Sequence, residues 1–267
     1  MTEKREHELR SYGRRRGRKP SDRQADLLKD LLPKVSLDLT KPAEFLLPVH
    51  AKHGFAMTRR RCPERADEGA ERQTSNVVNA PSPQPSPQGE RGILTWLEIG
   101  FGGGEHLVWQ AAHNPSVSFI GCEPFEDGVV KVLSKIDSDK LSNLRLHMGD
   151  AREVLRWLPE ASIARAFILF PDPWPKRKHR KRRLVNPDTL ASLARVMKPG
   201  AELRIGTDIA DYARTMLLAF QDEPRFQWQA ASPKDWRVRP LDWPETRYEQ
   251  KAEREGRVRY YFRFFRI

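Results

Sequence analysis

A chain of 267 residues has room for one ordinary α/β domain with an added tail or insertion, or for two small domains. Its 48 Lys and Arg against 36 Asp and Glu leave a formal charge of +12, a field that favours a polyanionic partner, nucleic acid ahead of an anionic membrane face. Two cysteines, Cys62 and Cys122, provide neither a disulfide framework nor a metal-ligand cluster, so no metal is expected.

In chain order, the opening "MTEKREHELR" has no apolar signal core, and apolar runs such as Ala166–Phe170 fall far short of the roughly 20 residues that a spanning helix needs. The expectation is a soluble, cytoplasmic protein without membrane contact. Residues 1–57 form a basic arm and a short helical segment. Eight Lys/Arg lie between Lys4 and Lys19, and a Leu-bearing helix is predicted over Ser21–Leu32. The arm reads either as a solvated tail or as a strand of charge laid along phosphates. Residues 58–92 have almost no apolar content and end in a Pro/Ser/Gln repeat, which predicts a disordered linker or insertion.

From residue 93 to 267 apolar runs alternate with helical stretches. Strands are predicted at Ile93–Ile99, Val117–Cys122, Leu144–Met148, Ala164–Phe170, Ala201–Gly206, Phe226–Ala230 and Arg257–Phe265. Helices are predicted at Glu105–His113, Phe125–Ile136, Ala151–Trp157, Pro187–Val196 and Ile209–Phe220. No convincing helix separates the last two strands, so they should close the sheet as an antiparallel pair. That ending predicts a doubly wound, mostly parallel seven-stranded α/β sheet of the class I S-adenosylmethionine-dependent methyltransferase (Rossmann-like) type, not the symmetric dinucleotide type.

The chemistry-bearing residues fall at the carboxyl ends of these strands, where open α/β sheets bind ligands. "LEIGFGGGEH" places Glu98 at the first strand end, followed by Gly100, Gly102, Gly103 and Gly104 in the turn before a helix. A carboxylate preceding that turn would repel a pyrophosphate and suits the ammonium of an amino-acid moiety, favouring S-adenosylmethionine over a nicotinamide cofactor. Glu123 ends the second strand, where an acid can accept both ribose hydroxyl protons or serve a helix N-terminus. Asp150 follows the third strand, where it reads as an acceptor for an adenine amino group or as a helix cap.

The fourth strand runs into "FPDPWPKRKHRKRRLVNP". Asp172, between Pro171 and Pro173, should emerge beside the donor methyl, and Trp174 offers a stacking face for a splayed base; the bland alternative is a turn former and a core indole. Lys176, Arg177, Lys178, Arg180, Lys181, Arg182 and Arg183 would rim the cleft and contact phosphates. Thr207 and Asp208 follow the fifth strand, and Thr246, Arg247, Tyr248 and Glu249 precede the last. Both groups read as rim residues or as local caps.

These segments resemble the bacterial tRNA (guanine-N7-)-methyltransferases, which modify guanine 46 of the variable loop. The likeness runs through "RSYGRRRGR", "LEIGFGGGEH", "GCEPF", "GDA", "FPDPWPKRKHRKRRLVNP", "GTD" and "TRYE", over most of residues 10–57 and 93–267. The resemblance implies S-adenosylmethionine as methyl donor, contacted by Glu98, Glu123, Asp150 and Asp172 with the glycine turn, and Asp172 as the catalytic residue. It further implies tRNA as partner, with Lys176, Asp208 and Thr246–Glu249 as substrate-binding positions. Pro124 and Phe125 depart from the Val and His more usual after the acid, and Pro175 from the His after Trp174. A duplex-DNA or protein amide methyltransferase is the rival enzyme reading, because Asp172-Pro173-Trp174 partly matches the turn with which such enzymes grip an amino group. A monomer and a homodimer both fit the sequence.

Overall fold

The computed structural model describes residues 19–43 and 94–267. The basic stretch up to Arg18, the 58–92 segment and Ile93 lie outside the described residues, as does the Cys62 thiol.

The first described element is a helix that starts at α1 (Asp22–Asp26), passes through a π turn (Leu27–Leu31) and ends as α2 (Leu32–Val35). Ser21 and Gln24 form a reciprocal capping box at its start. The sequence expectation ends this helix at Leu32, yet the helix continues through Pro33 for three residues. Proline is tolerated near the start of α2, where the widened π turn has already broken the regular hydrogen-bond ladder. Leu27, Leu28, Leu31 and Leu32 pack on the main core, and Ser36 bridges Leu146 in parallel with Leu37 N donating to Leu146 O at 2.9 Å. The segment thereby covers the outer edge of the sheet, whose backbone groups would otherwise be unpaired.

The main body then runs β1 (Thr95–Ile99), α3 (Glu105–His113), β2 (Ser118–Cys122), α4 (Glu126–Asp139), β3 (Leu144–His147), α5 (Ala151–Trp157), β4 (Ile163–Leu169), a 3₁₀ stretch (Arg177–Arg182), α6 (Pro187–Val196), β5 (Met197–Thr207), α7 (Ala210–Gln221), β6 (Phe226–Trp228), α8 (Lys234–Arg237), α9 (Arg247–Arg254) and β7 (Tyr260–Arg266). The sheet order is β3-β2-β1-β4-β5-β7-β6. The first five strands are parallel, and β7 runs antiparallel between β5 and β6. This is the doubly wound, mostly parallel seven-stranded sheet that the alternation of strands and helices predicts. The chain reverses direction of winding at β1, so the crevice between the β1 and β4 ends is the switch point where such sheets take ligands.

Two differences matter. β5 begins at Met197 rather than Ala201, continuing through Pro199 and Gly200 beside a register shift between Ile163 and Arg165 of β4. Helices α8 and α9 stand between β6 and β7, where the sequence expectation placed none. Helix α9 is strongly polar, so it lacks the broad apolar face that usually identifies a helix; its signal is the capping box of Thr246 and Glu249.

Two apolar layers sandwich the sheet. One joins β1, β4 and β5 to α5, α6 and α7; the other packs α3, α4 and the N-terminal helix against β2 and β3. Phe264, 1% exposed, stacks face to face on Phe220 at a centroid distance of 3.5 Å in the first layer. Phe264→Ala removes that contact and leaves a cavity, so urea melts should show a loss of about 3–5 kcal/mol; a loss below about 1 kcal/mol would contradict this packing. A third cluster of Phe167, Leu169, Trp243 and Tyr261 seats the loop before α9 on the sheet. Arg204 reinforces that seat with a bidentate pair to Asp242 at 2.9 and 2.9 Å.

Candidate active site

Parallel strands direct their carboxyl ends, and the turns that follow, to one edge. The first turn leaves β1 through Gly100, Gly102 and Gly104 at φ of 75°, 54° and 78°, a left-handed conformation that disfavours any side chain with a β-carbon. Tightness imposes a second constraint. A β-carbon at Gly128, in the first turn of α4, would overlap the Gly102 carbonyl oxygen and stand 3.3 Å from Glu123 Cγ. The neighbouring helix can therefore approach the turn only with glycine at that position.

Glu123, at the end of β2, ties the two halves together. Its Oε2 accepts from Gly102 N at 2.8 Å and its Oε1 from Phe125 N at 3.0 Å. Burial nevertheless pushes its carboxyl above the ordinary value, and the nearby charges of Asp172 and Glu98 add to the rise. Glu98, 3% exposed, accepts from His106 Nδ1 at 2.7 Å. The Gln110 amide lies 3.2 Å from the other ring nitrogen and donates to Asp242 O at 2.7 Å. An amide nitrogen only donates, so His106 Nε2 accepts and the ring proton sits on Nδ1, directed at Glu98. Sequence reasoning missed His106. Its signal was a histidine in the first turn of α3, just past the glycine turn from a strand-end acid, which by itself is indistinguishable from an ordinary core residue.

Asp172 leaves β4 in a turn whose flanking residues, Phe170 and Trp174, both adopt positive φ, 51° and 41°. Non-glycine residues in this region store about 1–3 kcal/mol each, a strain that surrounding contacts must hold. Asp172 is solvent-exposed, yet the protein around it partly desolvates its carboxyl and raises its pKa, and among the described residues its carboxylate accepts no hydrogen bond. Asp150 stands differently. It caps α5 through Arg152 N at 2.9 Å and pairs with the Arg152 guanidinium at 2.9 and 2.6 Å. Burial opposes its ionisation, but those bonds outweigh burial and hold the carboxyl below the usual range. The helix-capping role is thus occupied at Asp150.

The segment preceding β7 reaches across to the glycine turn. The Arg247 guanidinium fills the space in which a Gly103 side chain would stand, and Arg247 Nε donates to Glu105 Oε1 at 2.6 Å. The Tyr248 hydroxyl lies 3.0 Å from where a Gly102 β-carbon would be, and its ring runs nearly parallel to Phe170, with centroids 6.5 Å apart and planes 13° apart. Burial raises the Tyr248 phenol, whose neighbours include the charges of Glu123 and Asp172. Thr246 and Glu249, by contrast, face inward. Glu249 is 0% exposed, accepting from Thr246 N at 2.8 Å, Thr246 Oγ1 at 3.0 Å and Tyr261 Oη at 2.8 Å. Asp208 pairs with Arg257 at 2.7 Å, and Thr207 accepts from Ile209 N at 3.3 Å beside it.

The basic stretch after Asp172 forms the 3₁₀ turns Arg177–Arg182. Lys176, Arg177, Lys178, Arg180 and Lys181 are exposed, with Arg180 pairing to Asp211 at 3.0 Å. Arg182 lies over the Trp174 ring at 5.0 Å, so one face of that indole is already covered. Arg183 departs from the expected rim altogether: it is 2% exposed, with its guanidinium turned into the protein.

This edge of the sheet thus gathers Glu98, Glu123 and Asp172 near the glycine turn, and neither Glu123 nor Asp172 has a basic side chain bonded to it among the described residues. Repelling carboxylates beside a tight turn fit a ligand that carries positive charge and ribose hydroxyls, as S-adenosylmethionine does. Among the described residues no group of His, Cys, Asp and Glu is arranged to hold a metal, and no helix is long and apolar enough to cross a membrane.

Comparison with known proteins finds methyltransferases. The methyltransferase family Methyltransf_4 matches residues 94–262. A tRNA (guanine-N(7)-)-methyltransferase of Ruegeria pomeroyi is 55% identical over 178 residues, 66% of this chain and 74% of that protein. One from Rhodospirillum rubrum is 41% identical over 266 residues, 100% of this chain and 91% of its own. The solved 16S rRNA methyltransferase KamB is 18% identical, with a TM-score of 0.48 over 65% of this chain and 88% of that one. The chain belongs to the tRNA (guanine-N(7)-)-methyltransferase family.

Proposed function

We propose that this protein methylates N7 of a guanine in tRNA, at position 46 of the variable loop, with S-adenosylmethionine as donor, and that it works in the cytoplasm. The observation that carries the reading is one junction. Asp172, a carboxylate with no bonded partner among the described residues, lies at the ligand-binding edge and is followed directly by exposed basic turns from Lys176 onward.

When bound, the sulfonium donor supplies an electrophilic methyl group. Glu98, Glu123 and the Gly100–Gly104 turn would hold it, with Asp150 at the adenine end. Guanine N7 already presents a lone pair in the ring plane, so no side chain has to remove a proton first. The remaining work is orientation and charge. Exposed Lys176, Arg177, Lys178 and Lys181 engage phosphates, which positions the tRNA without reading its sequence. The Phe170, Trp174 and Tyr248 rings border the site where a base would enter. Asp172 opposes the positive charge that develops on the purine as N7 becomes quaternary, and holding both partners in one geometry contributes much of the rate. Lys176, Asp208 and the Thr246–Glu249 segment complete the substrate side of this reading, Thr246 and Glu249 by fixing the start of α9 beneath Arg247 and Tyr248.

Incubation of purified protein with S-adenosylmethionine and unmodified tRNA, followed by nuclease digestion and mass mapping, should place 7-methylguanosine at position 46 alone. Methyl transfer to duplex DNA or protein in place of tRNA would overturn the proposal. A second test uses Glu123. Ribose hydroxyls donate to the ionised carboxylate, and burial lifts the Glu123 pKa, so affinity for S-adenosylhomocysteine should be constant at high pH and fall by about tenfold per unit below that raised pKa. Glu123→Gln should flatten the profile. A wild-type titration that stays flat down to about pH 4, below the ordinary glutamate value, would remove the carboxylate from ribose binding.

A further inference from the structure

The last arginine of the basic stretch is not on the surface. Arg183 is 2% exposed, and each nitrogen of its guanidinium is committed within the protein. Nε donates to Pro173 O at 2.8 Å, Nη1 to Thr215 Oγ1 at 2.7 Å and Nη2 to Asp211 Oδ2 at 2.5 Å. The guanidinium plane lies over Tyr212, 4.7 Å from the ring centroid, and the Tyr212 hydroxyl accepts from Val185 N at 3.0 Å. Asp211 and Thr215 both belong to α7, whose inner face is anchored in the core by Tyr212, Ala213 and Met216.

The Pro173 carbonyl belongs to the peptide between Pro173 and Trp174, and Trp174 is one of the two residues held at positive φ around Asp172. Rotating that peptide toward an ordinary conformation would swing the carbonyl away from Arg183. We infer that Arg183 is a positioning residue for the methyl-transfer site: it clamps the strained Asp172-bearing turn to helix α7 and makes no phosphate contact with tRNA. Resting on the proposed role of Asp172, this account extends it to the element that sets the carboxylate's place. It also divides the basic segment by function, with exposed Lys176, Arg177, Lys178 and Lys181 for RNA and Arg183 for geometry.

The two roles of an arginine give opposite readouts. A phosphate contact contributes to tRNA affinity and to its salt dependence, so its loss reduces the slope of log Kd against log salt by about 0.7–0.9. A strut contributes to neither, but misplacing a reacting group by about 1 Å can cost on the order of 100-fold in rate. The experiment compares Arg183→Gln, Arg183→Lys, Thr215→Val and Lys181→Ala in the full chain. For each, it measures circular dichroism and Tm, tRNA Kd from 50 to 300 mM salt, and single-turnover methylation with tRNA and donor saturating.

Arg183→Gln should lose on the order of 100-fold in single-turnover rate with tRNA Kd and salt slope at wild-type values. Arg183→Lys should recover part of that rate, and Thr215→Val should show a smaller loss of the same kind. Lys181→Ala should show the reverse ratio, its loss falling on Kd and on the salt slope more than on the saturated rate. A reduced salt slope with unchanged saturated rate in Arg183→Gln would overturn the inference, as would wild-type behaviour in every readout. Should Arg183→Gln fail to fold, Arg183→Lys and Thr215→Val carry the test with the same outcomes. A crystal structure of a folded Arg183 variant separates this inference from the role of Asp172. An unmoved Pro173 carbonyl refutes the strut, whereas a displaced turn in an enzyme of normal rate refutes Asp172 as the group it positions.

Discussion

Asp172→Ala should reduce single-turnover methylation of tRNA by about 10³-fold while leaving the dissociation constant for S-adenosylhomocysteine within about tenfold of wild type. The asymmetry follows from when each charge exists. Neutral guanine gains its positive charge only as N7 acquires the methyl group, so a carboxylate placed beside it stabilises the transition state more than the bound substrate. Asp172 is suited to that task because its carboxyl is partly desolvated, which raises its pKa, and because no hydrogen bond from a described residue already occupies its lone pairs. Once the donor and an entering base cover this exposed carboxylate, its electrostatic contact becomes stronger than the same contact in water. Asp172→Asn separates charge from shape: it keeps the volume and an acceptor oxygen, so a rate as low as that of Ala assigns the effect to charge. Lowering the pH through the raised Asp172 pKa should depress the wild-type rate, since protonation removes the same charge. A saturated rate within tenfold of wild type for Asp172→Ala would remove the residue from the reaction.

The parts of this site that were legible in the sequence are those fixed by local chain geometry. Strand-then-glycine-then-helix spacing located Glu98 and the turn, and the same logic put Glu123, Asp150 and Asp172 at one edge, because parallel strands necessarily send their carboxyl ends to the same side. What the sequence left hidden depends on contacts between distant residues. Seven basic residues in eight positions from Lys176 to Arg183 look equivalent as a charge run, yet only tertiary structure reveals that Asp211 and Thr215, one turn apart on α7, turn the last of them inward. Glu249 looked like a polar loop residue, and burial beneath Tyr261 requires knowing that β7 passes directly over it. His106 shares this property: its pairing with Glu98 and its link through Gln110 to Asp242 tie the first strand and helix to a loop more than a hundred residues away. Helix α9 was overlooked for a different reason: it is short and very polar, and the face it buries carries Glu249 and Ala252 in place of the large apolar residues by which helices are recognised.

Gly128→Ala should weaken S-adenosylhomocysteine binding by at least about 30-fold, an effect of about 2 kcal/mol, although residue 128 lies in a helix where alanine is ordinarily the better residue. The intrinsic helical gain from the substitution is about 1 kcal/mol, and by propensity alone the variant would be more stable. Sterics decide otherwise. The added methyl would overlap the Gly102 carbonyl oxygen, a backbone atom that cannot rotate away, and would press on Glu123 Cγ at 3.3 Å. Relief requires α4 to move outward or the glycine turn to move inward, and overpacking of this kind costs about 1–3 kcal/mol. Either movement stretches the 2.8 Å bond from Gly102 N to Glu123 Oε2, which sets both the turn and the carboxylate that would receive the ribose. Gly100→Ala is the informative contrast. Gly100 has φ of 75° but open space where an alanine methyl would stand, so its substitution carries left-handed backbone strain of about 1–2 kcal/mol without pushing on a neighbour. Thermal melts should therefore show both variants destabilised, whereas calorimetric titration with S-adenosylhomocysteine should show the larger affinity loss at Gly128. Wild-type affinity in Gly128→Ala would mean that the ligand does not rest on this turn, and would displace the cofactor site from the β1 edge.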